Sequence, residues 1–211
     1  MEEHSTKKYI AIAGNIGAGK SSLTELLGKN FGWKTYYESV DDNPYLSDFY
    51  EDMRRWSFNL QIYFLSSRFQ HQKKLMEMEA SLVQDRTIYE DVEIFAKNLH
   101  EMGLMSDRDY KNYRALFEQM VEYLKAPDLL IYLRADVPTL VRQIQKRGRE
   151  YENTIRIEYL ERLNGLYEDW INRYDGEKLI IDTDHIDFVN SQNDLGKVIN
   201  LVEQRLFGLF N

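Results

Sequence analysis

Along the first fifteen residues the apolar positions do not alternate. Residues 9–13 read Tyr-Ile-Ala-Ile-Ala, the pattern of a strand covered on both faces, as strands of a parallel sheet are. Comparable runs recur at 34–38, 81–85, 129–134 and 178–182, and longer segments with helical spacing separate them. Leu23, Leu26 and Leu27, and then Val137, Leu140, Val141 and Ile144, recur at three and four residues, so each falls on one face of a helix. Strands alternating with helices predict an α/β fold: a five-stranded, parallel, doubly wound sheet with right-handed helical crossovers.

Residues 53–78 carry two apolar rows, one through Trp56, Leu60 and Phe64 and another through Phe58, Ile62, Leu65 and Phe69. A helix apolar on two sides needs two partners. The sheet is one; the other is either a second subunit or the helix expected near residues 110–124. A homodimer through a helix bundle is therefore expected, with a central core helix of a monomer as the alternative. No repeat, low-complexity tract or linker divides the chain, so residues 1–211 are read as one domain.

The 211 residues suffice for one domain with a substantial core. With 43% hydrophobic and 29% charged residues, 3 Pro and 11 Gly, the composition is neither disordered nor fibrous. A formal charge of −8 disfavours nonspecific attachment to DNA or anionic membranes. Partners are then expected to be small molecules, not nucleic acid or membrane. The absence of cysteine excludes disulfides, zinc–thiolate sites and thiol nucleophiles. The charged first residues lead into a short apolar stretch ended by glycine, without a signal-peptide core or spanning segment, so a cytoplasmic enzyme or regulator is expected.

Chemistry enters directly after the first strand. Gly14-Asn15-Ile16-Gly17-Ala18-Gly19-Lys20-Ser21 has the spacing of a phosphate-binding loop. Between strand and helix, its successive N–H groups and the helix N-terminus, including Ser22, converge on a polyphosphate. Lys20 is placed for the β- and γ-phosphates and the Ser21 hydroxyl for Mg²⁺. A nucleoside triphosphate is the expected ligand. Kinase, GTPase and ATP-driven switch share this loop, but the Asn-Lys-x-Asp guanine signature is missing, which lowers the switch reading.

Three further clusters bear on an acceptor. Glu38 ends the second predicted strand, on the same sheet edge as the loop, where a carboxylate can take a proton from an acceptor hydroxyl; a solvent-facing loop carboxylate is the alternative. Asp85-Arg86-Thr87 ends the third strand. Asp85 there can hold Mg²⁺ through water, and Arg86 can pair with Glu38 or touch the transferring group, or the two form a structural ion pair. Arg142, Lys146, Arg147 and Arg149 place positive charge near a helix end, on a mobile lid of about residues 146–156 or as a merely solvated surface.

Taken together these residues resemble the deoxynucleoside kinase family over almost the whole chain. The resemblance rests on the phosphate loop, Glu38, the stretch 50–68, Asp85-Arg86-Thr87-Ile88-Tyr89-Glu90-Asp91 and Arg147-Gly148-Arg149 in family order. It implies a P-loop kinase with an arginine-bearing lid that uses ATP and Mg²⁺. Glu38 matches the general base for the 5′-hydroxyl, and Arg86 the arginine that steadies it. Tyr50 and Glu158 match residues that bind the 3′-hydroxyl, and Gln61 and Asp91 the base-reading amide and carboxylate. Arg68 lies two turns beyond Gln61, and Phe95 matches a ring packed on the nucleobase. Two positions depart from the pattern: Gln143 stands where the lid has a further arginine, leaving adjacent Arg142 as its substitute, and Asn43 stands where pyrimidine-handling relatives often carry tryptophan. The smaller Asn43 leaves room for a purine, and Glu38-Ser39-Val40-Asp41-Asp42-Asn43-Pro44 resembles bacterial purine deoxynucleoside kinases. Deoxyadenosine is thus the expected substrate, with deoxyguanosine and deoxycytidine open. A nucleoside monophosphate kinase and a nucleotide-sensing regulatory module are the rival readings.

Overall fold

In the computed structural model, residues 7–37, 43–149 and 155–208 are described. The strands are β1 (Tyr9–Gly14), β2 (Lys34–Tyr36), β3 (Leu82–Asp85), β4 (Leu129–Arg134) and β5 (Lys178–Asp182). They form one sheet in the order β2-β3-β1-β4-β5 with every pairing parallel. The unbroken apolar run of β1 has a direct explanation. Ile10 and Ile12 enter a core beneath α1 (Lys20–Phe31), α7 (Val137–Arg147) and α9 (Gln192–Phe207). Tyr9, Ala11 and Ala13 enter a second core beneath α8 (Ile157–Arg173) on the opposite face. The strand is covered on both sides, so neither face needs polar residues.

A third core lies beside the sheet, where α2 (Leu46–Glu51), α3 (Met53–Met76) and α6 (Asp107–Val121) enclose Phe49, Leu60, Leu65, Tyr113 and Phe117. Of the partners expected for the second apolar face of α3, it is α6 of the same chain that packs there. That helix begins earlier than its apolar spacing indicates, because Ser106 caps it by accepting from the Asp109 N–H at 3.1 Å, and Asp107 and Asp109 complement the dipole of its first turn. Between β3 and α6 the chain runs through α4 (Ile88–Glu90), a π-helical segment (Asp91–Ala96) and α5 (Lys97–Glu101) without a break. No helix among the described residues is long and apolar enough to cross a membrane.

In this order the chain winds out from β1 to one side and then to the other, between β3 and β4. The crevice at the carboxyl ends of β1, β3 and β4 is therefore the topological switch point, where open α/β sheets bind ligands. The phosphate-loop sequence begins there.

Candidate active site

The loop after β1 is shaped by contacts that only glycine permits. Gly17 has φ 86°, and a Cβ on it would lie 2.8 Å from the Leu140 carbonyl oxygen of α7. Gly19, at φ 93°, sits under the Phe188 ring. Asn15 clamps the loop from beneath: its side-chain amide donates to the Leu160 carbonyl at 3.0 Å and the Asn164 Oδ1 at 2.6 Å, while its Oδ1 accepts from the Ile16 N–H at 2.7 Å. Lys20 is buried and donates to the Asn15 carbonyl at 3.0 Å. The N–H groups that open α1 are thereby held around one concave turn, ready for an anion. Ser22, one residue further on, is half-buried in the first turn of α1 and does not line the cavity described below.

Asp85, at the end of β3, accepts the Ser21 hydroxyl on Oδ2 at 2.5 Å. Its Oδ1 is buried with no hydrogen-bond partner among the described residues. A half-satisfied carboxylate beside a hydroxyl at a phosphate loop suits a hard divalent cation. Ser21 and Asp85 thus fit the Mg²⁺ expected of them. Arg86 follows with φ 68°, the one non-glycine residue at positive φ among those described. Its N–H donates to the Ile12 carbonyl at 2.9 Å and its guanidinium lies 4.5 Å from the Phe95 ring centroid. A bulky residue held in the left-handed region is strain that the surrounding structure must over-determine. Here the fixed backbone turns the guanidinium from the sheet onto Phe95.

A cavity of about 160 Å³ opens from the loop. Its lining includes Ile16, Lys20, Ser21, Asp85 and Arg86 from the loop and the end of β3, Tyr50, Gln61, Arg68, Asp91 and Phe95 from the helices beside the sheet, and Arg147 and Arg149. Gln61 and Arg68 share one face of α3 because they are seven residues apart. Arg68 forms a buried ion pair with Asp91 and lies over the Phe64 ring. Gln61 is 4% exposed and its Oε1 has no hydrogen-bond partner among the described residues, so it offers an acceptor that a ligand donor can satisfy. The π-helical segment brings Asp91 and Phe95 to the same cavity, a common setting for such widened turns.

Other expected site residues fall elsewhere. Glu158 is exposed on the first turn of α8 and does not line the cavity; its neighbour Tyr159 does. Desolvation pushes the Tyr159 hydroxyl up to about 12, against the opposing pull of Asn98 and the Arg86 charge, so at neutral pH it is a protonated donor. Arg142 is exposed, bonds the Thr139 hydroxyl at 2.8 Å and also lies outside the lining. Glu38 and residues 150–154 of the expected lid are outside the described residues. Tyr37, immediately before Glu38, lines a small cleft that it shares with Asp85 and Arg86.

Several lining residues carry no site role in the sequence: Leu46, Phe49, Ile155 and Tyr159, and also Leu60 and Phe64, which read there only as an apolar row of a helix. Phe64 alone carried a usable signal, standing between Gln61 and Arg68 at helical spacing. The others are apolar or aromatic positions that any core would explain.

The family model described as deoxynucleoside kinase matches residues 10–207. A deoxyadenosine/deoxycytidine kinase of Bacillus subtilis is 44% identical over 96% of this chain and 95% of its own length. A deoxyguanosine kinase of Lactobacillus johnsonii is 39% identical over 93% of this chain and 92% of its own. Among solved structures, a deoxyadenosine kinase from M. mycoides with bound dATP superposes with a TM-score of 0.82 at 31% identity, covering 93% of this chain and 99% of that one.

Proposed function

Because the chain belongs to the deoxynucleoside kinase family, we propose that it transfers the γ-phosphoryl group of ATP to the 5′-hydroxyl of a purine deoxynucleoside, deoxyadenosine above the others. The observation that carries this reading is that one cavity is lined both by Lys20, Ser21 and Asp85 and by Gln61, Arg68, Asp91 and Phe95. In the reaction the 5′-oxygen forms a bond to the γ-phosphorus as the bond from that phosphorus to the β,γ-bridging oxygen breaks. The bridging electrons leave with ADP and the hydroxyl proton goes to the Glu38 carboxylate. Arg86 holds that carboxylate ionised, an assignment supported by the cleft that Tyr37 shares with Arg86. Lys20, the loop N–H groups, Arg147 and Arg149 neutralise charge spread over the phosphoryl oxygens. Mg²⁺, when bound, adds to that neutralisation, and Ser21 with Oδ1 of Asp85, which has no partner among the described residues, would hold it.

At the base end, Phe95 packs against the nucleobase, and Gln61 with the Arg68–Asp91 pair reads its edge. An amide and a carboxylate serve several bases. The purine preference instead draws support from Asn43, from the absence of a tryptophan there, and from relatives named for deoxyadenosine and deoxyguanosine. Deoxycytidine is the second reading, since the B. subtilis relative is named for it too. Rates on the four deoxynucleosides at equal concentration decide: a purine is fastest, and a pyrimidine leading by tenfold overturns the preference. Glu38→Gln lowers turnover roughly a hundredfold or more while nucleotide binding persists; near-normal turnover removes Glu38 from its role.

The same proposal includes a cytoplasmic enzyme acting as a homodimer. Leu116 and Tyr123, exposed in and just beyond α6, support a second copy on the outer side of the α3 and α6 pair. Sedimentation as a monomer at micromolar concentration removes the dimer.

A further inference from the structure

Glu90 has no part in the phosphoryl transfer as proposed, yet four hydrogen bonds hold its carboxylate at the site. It is completely buried. Its Oε1 accepts from the Gly14 N–H at 3.4 Å and from the Tyr167 hydroxyl of α8 at 2.8 Å. Its Oε2 accepts from the Thr87 N–H at 2.7 Å and from the Thr87 hydroxyl at 3.3 Å. Burial and the Glu90 charge both push the Tyr167 hydroxyl far above its ordinary value, so that hydroxyl stays a donor throughout the working range.

These partners belong to three parts of the site. Gly14 opens the loop that carries Lys20 and Ser21. Thr87 follows Arg86 and precedes the π-helical segment on which Asp91 and Phe95 sit. Tyr167 belongs to α8, to which Asn15 of the loop is also bound, through Leu160 and Asn164. One buried side chain thus joins the donor-phosphate loop to the segment that reads the acceptor, with α8 as the third anchor.

Building on the phosphoryl-transfer reading, we propose that Glu90 is a positioning residue that couples the two half-sites, so that occupation of the phosphate loop by nucleotide changes the affinity of the deoxynucleoside cavity. Two features require a carboxylate for this. Both oxygens accept a backbone N–H, and glutamine has only one acceptor, so in either orientation its NH₂ group faces a buried N–H of Gly14 or Thr87. Aspartate is one methylene too short to reach both. A displacement of Gly14 by bound phosphate therefore reaches Thr87 and its chain neighbour Arg86 through one rigid group, and reaches Asp91 as the chain neighbour of Glu90 itself. Coupling of this kind is reciprocal by thermodynamic necessity.

The test uses whichever of the four deoxynucleosides wild type phosphorylates fastest, so a wrong assignment of the base leaves it intact. Calorimetric titration gives the affinity for that nucleoside with and without saturating ADP, in wild type, Glu90→Gln and Tyr167→Phe. In wild type the two affinities differ by about fivefold or more, the lower end of ordinary coupling. In Glu90→Gln the ratio falls to near one while each ligand still binds alone, a split that general destabilisation does not produce. Tyr167→Phe removes one donor to Oε1 and keeps both backbone contacts, so its ratio lies between the two. It provides the reading if Glu90→Gln does not fold. An unchanged ratio in whichever variant folds overturns the proposal, as does a wild-type ratio of one. Wild type inactive on all four deoxynucleosides fails the functional reading, and this inference with it, a result visible before any variant is made.

Discussion

Gly17 shows how tightly single positions are constrained. Its φ of 86° is open to few residues, and the Leu140 carbonyl and Ile144 Cγ1 stand 2.8 and 2.9 Å from where a Cβ would be. Neither neighbour can retreat, since one is helix backbone and the other belongs to the core beneath β1. Gly17→Ala is expected to cost about 1–3 kcal/mol by denaturant titration and to weaken ATP binding in the same preparation. Retention of both stability and affinity would mean that the loop yields more than this geometry allows. Asp85 poses a different question, because among the described residues only one of its oxygens is satisfied. Asp85→Asn keeps the shape and an acceptor for Ser21 but loses the charge. Turnover then falls about a hundredfold, in the range for removal of one transition-state electrostatic partner, and half-maximal rate needs more Mg²⁺. An unchanged Mg²⁺ requirement would separate Asp85 from the metal.

Among elements, α8 is the part whose role was least visible beforehand. Its inner face fills the second core with Leu163, Tyr167 and Trp170, and its polar positions reach the loop and the sheet. Glu168 is bound by Arg134 of β4 at 2.8 and 2.6 Å and by the Tyr132 hydroxyl at 3.0 Å. The Arg134 hydrogen bond is the main reason its carboxyl lies below its ordinary value, with burial opposing and Tyr132 assisting. A depressed carboxyl stabilises the fold above its unfolded-state value and loses that contribution as pH falls through its folded value. Glu168→Gln is accordingly less stable than wild type at pH 7, and the gap narrows below the ordinary glutamate value of about 4.3. Both side chains are more than a third exposed, so solvent screening limits the gap to about 0.5–1 kcal/mol. Denaturant midpoints of the two proteins at pH 7 and pH 4 measure it, and a gap that widens on acidification contradicts the assignment.

At the scale of the molecule, β1 joins the two faces of the sheet. Ile12 is fully buried among residues of α1, α7 and α9, and Ile12→Ala should cost about 2–5 kcal/mol by chemical denaturation. A much smaller loss would show that the core closes around the missing atoms. The strands were legible because burial on both faces writes itself as an uninterrupted apolar run, and the phosphate loop because its chemistry needs fixed spacing along one short segment. Arg68, Gln61, Asp91 and Phe95 were legible only through resemblance, since taken singly each reads as ordinary helix sequence. The tertiary structure decided the rest: that Tyr159 and not Glu158 lines the cavity, that α6 covers the second face of α3, and that Glu90 joins three elements. Local geometry repeats along the chain and so leaves a period or a motif. Contacts between positions as distant as Gly14, Glu90 and Tyr167 depend on how helices pack across the sheet, and no short stretch of residues records that.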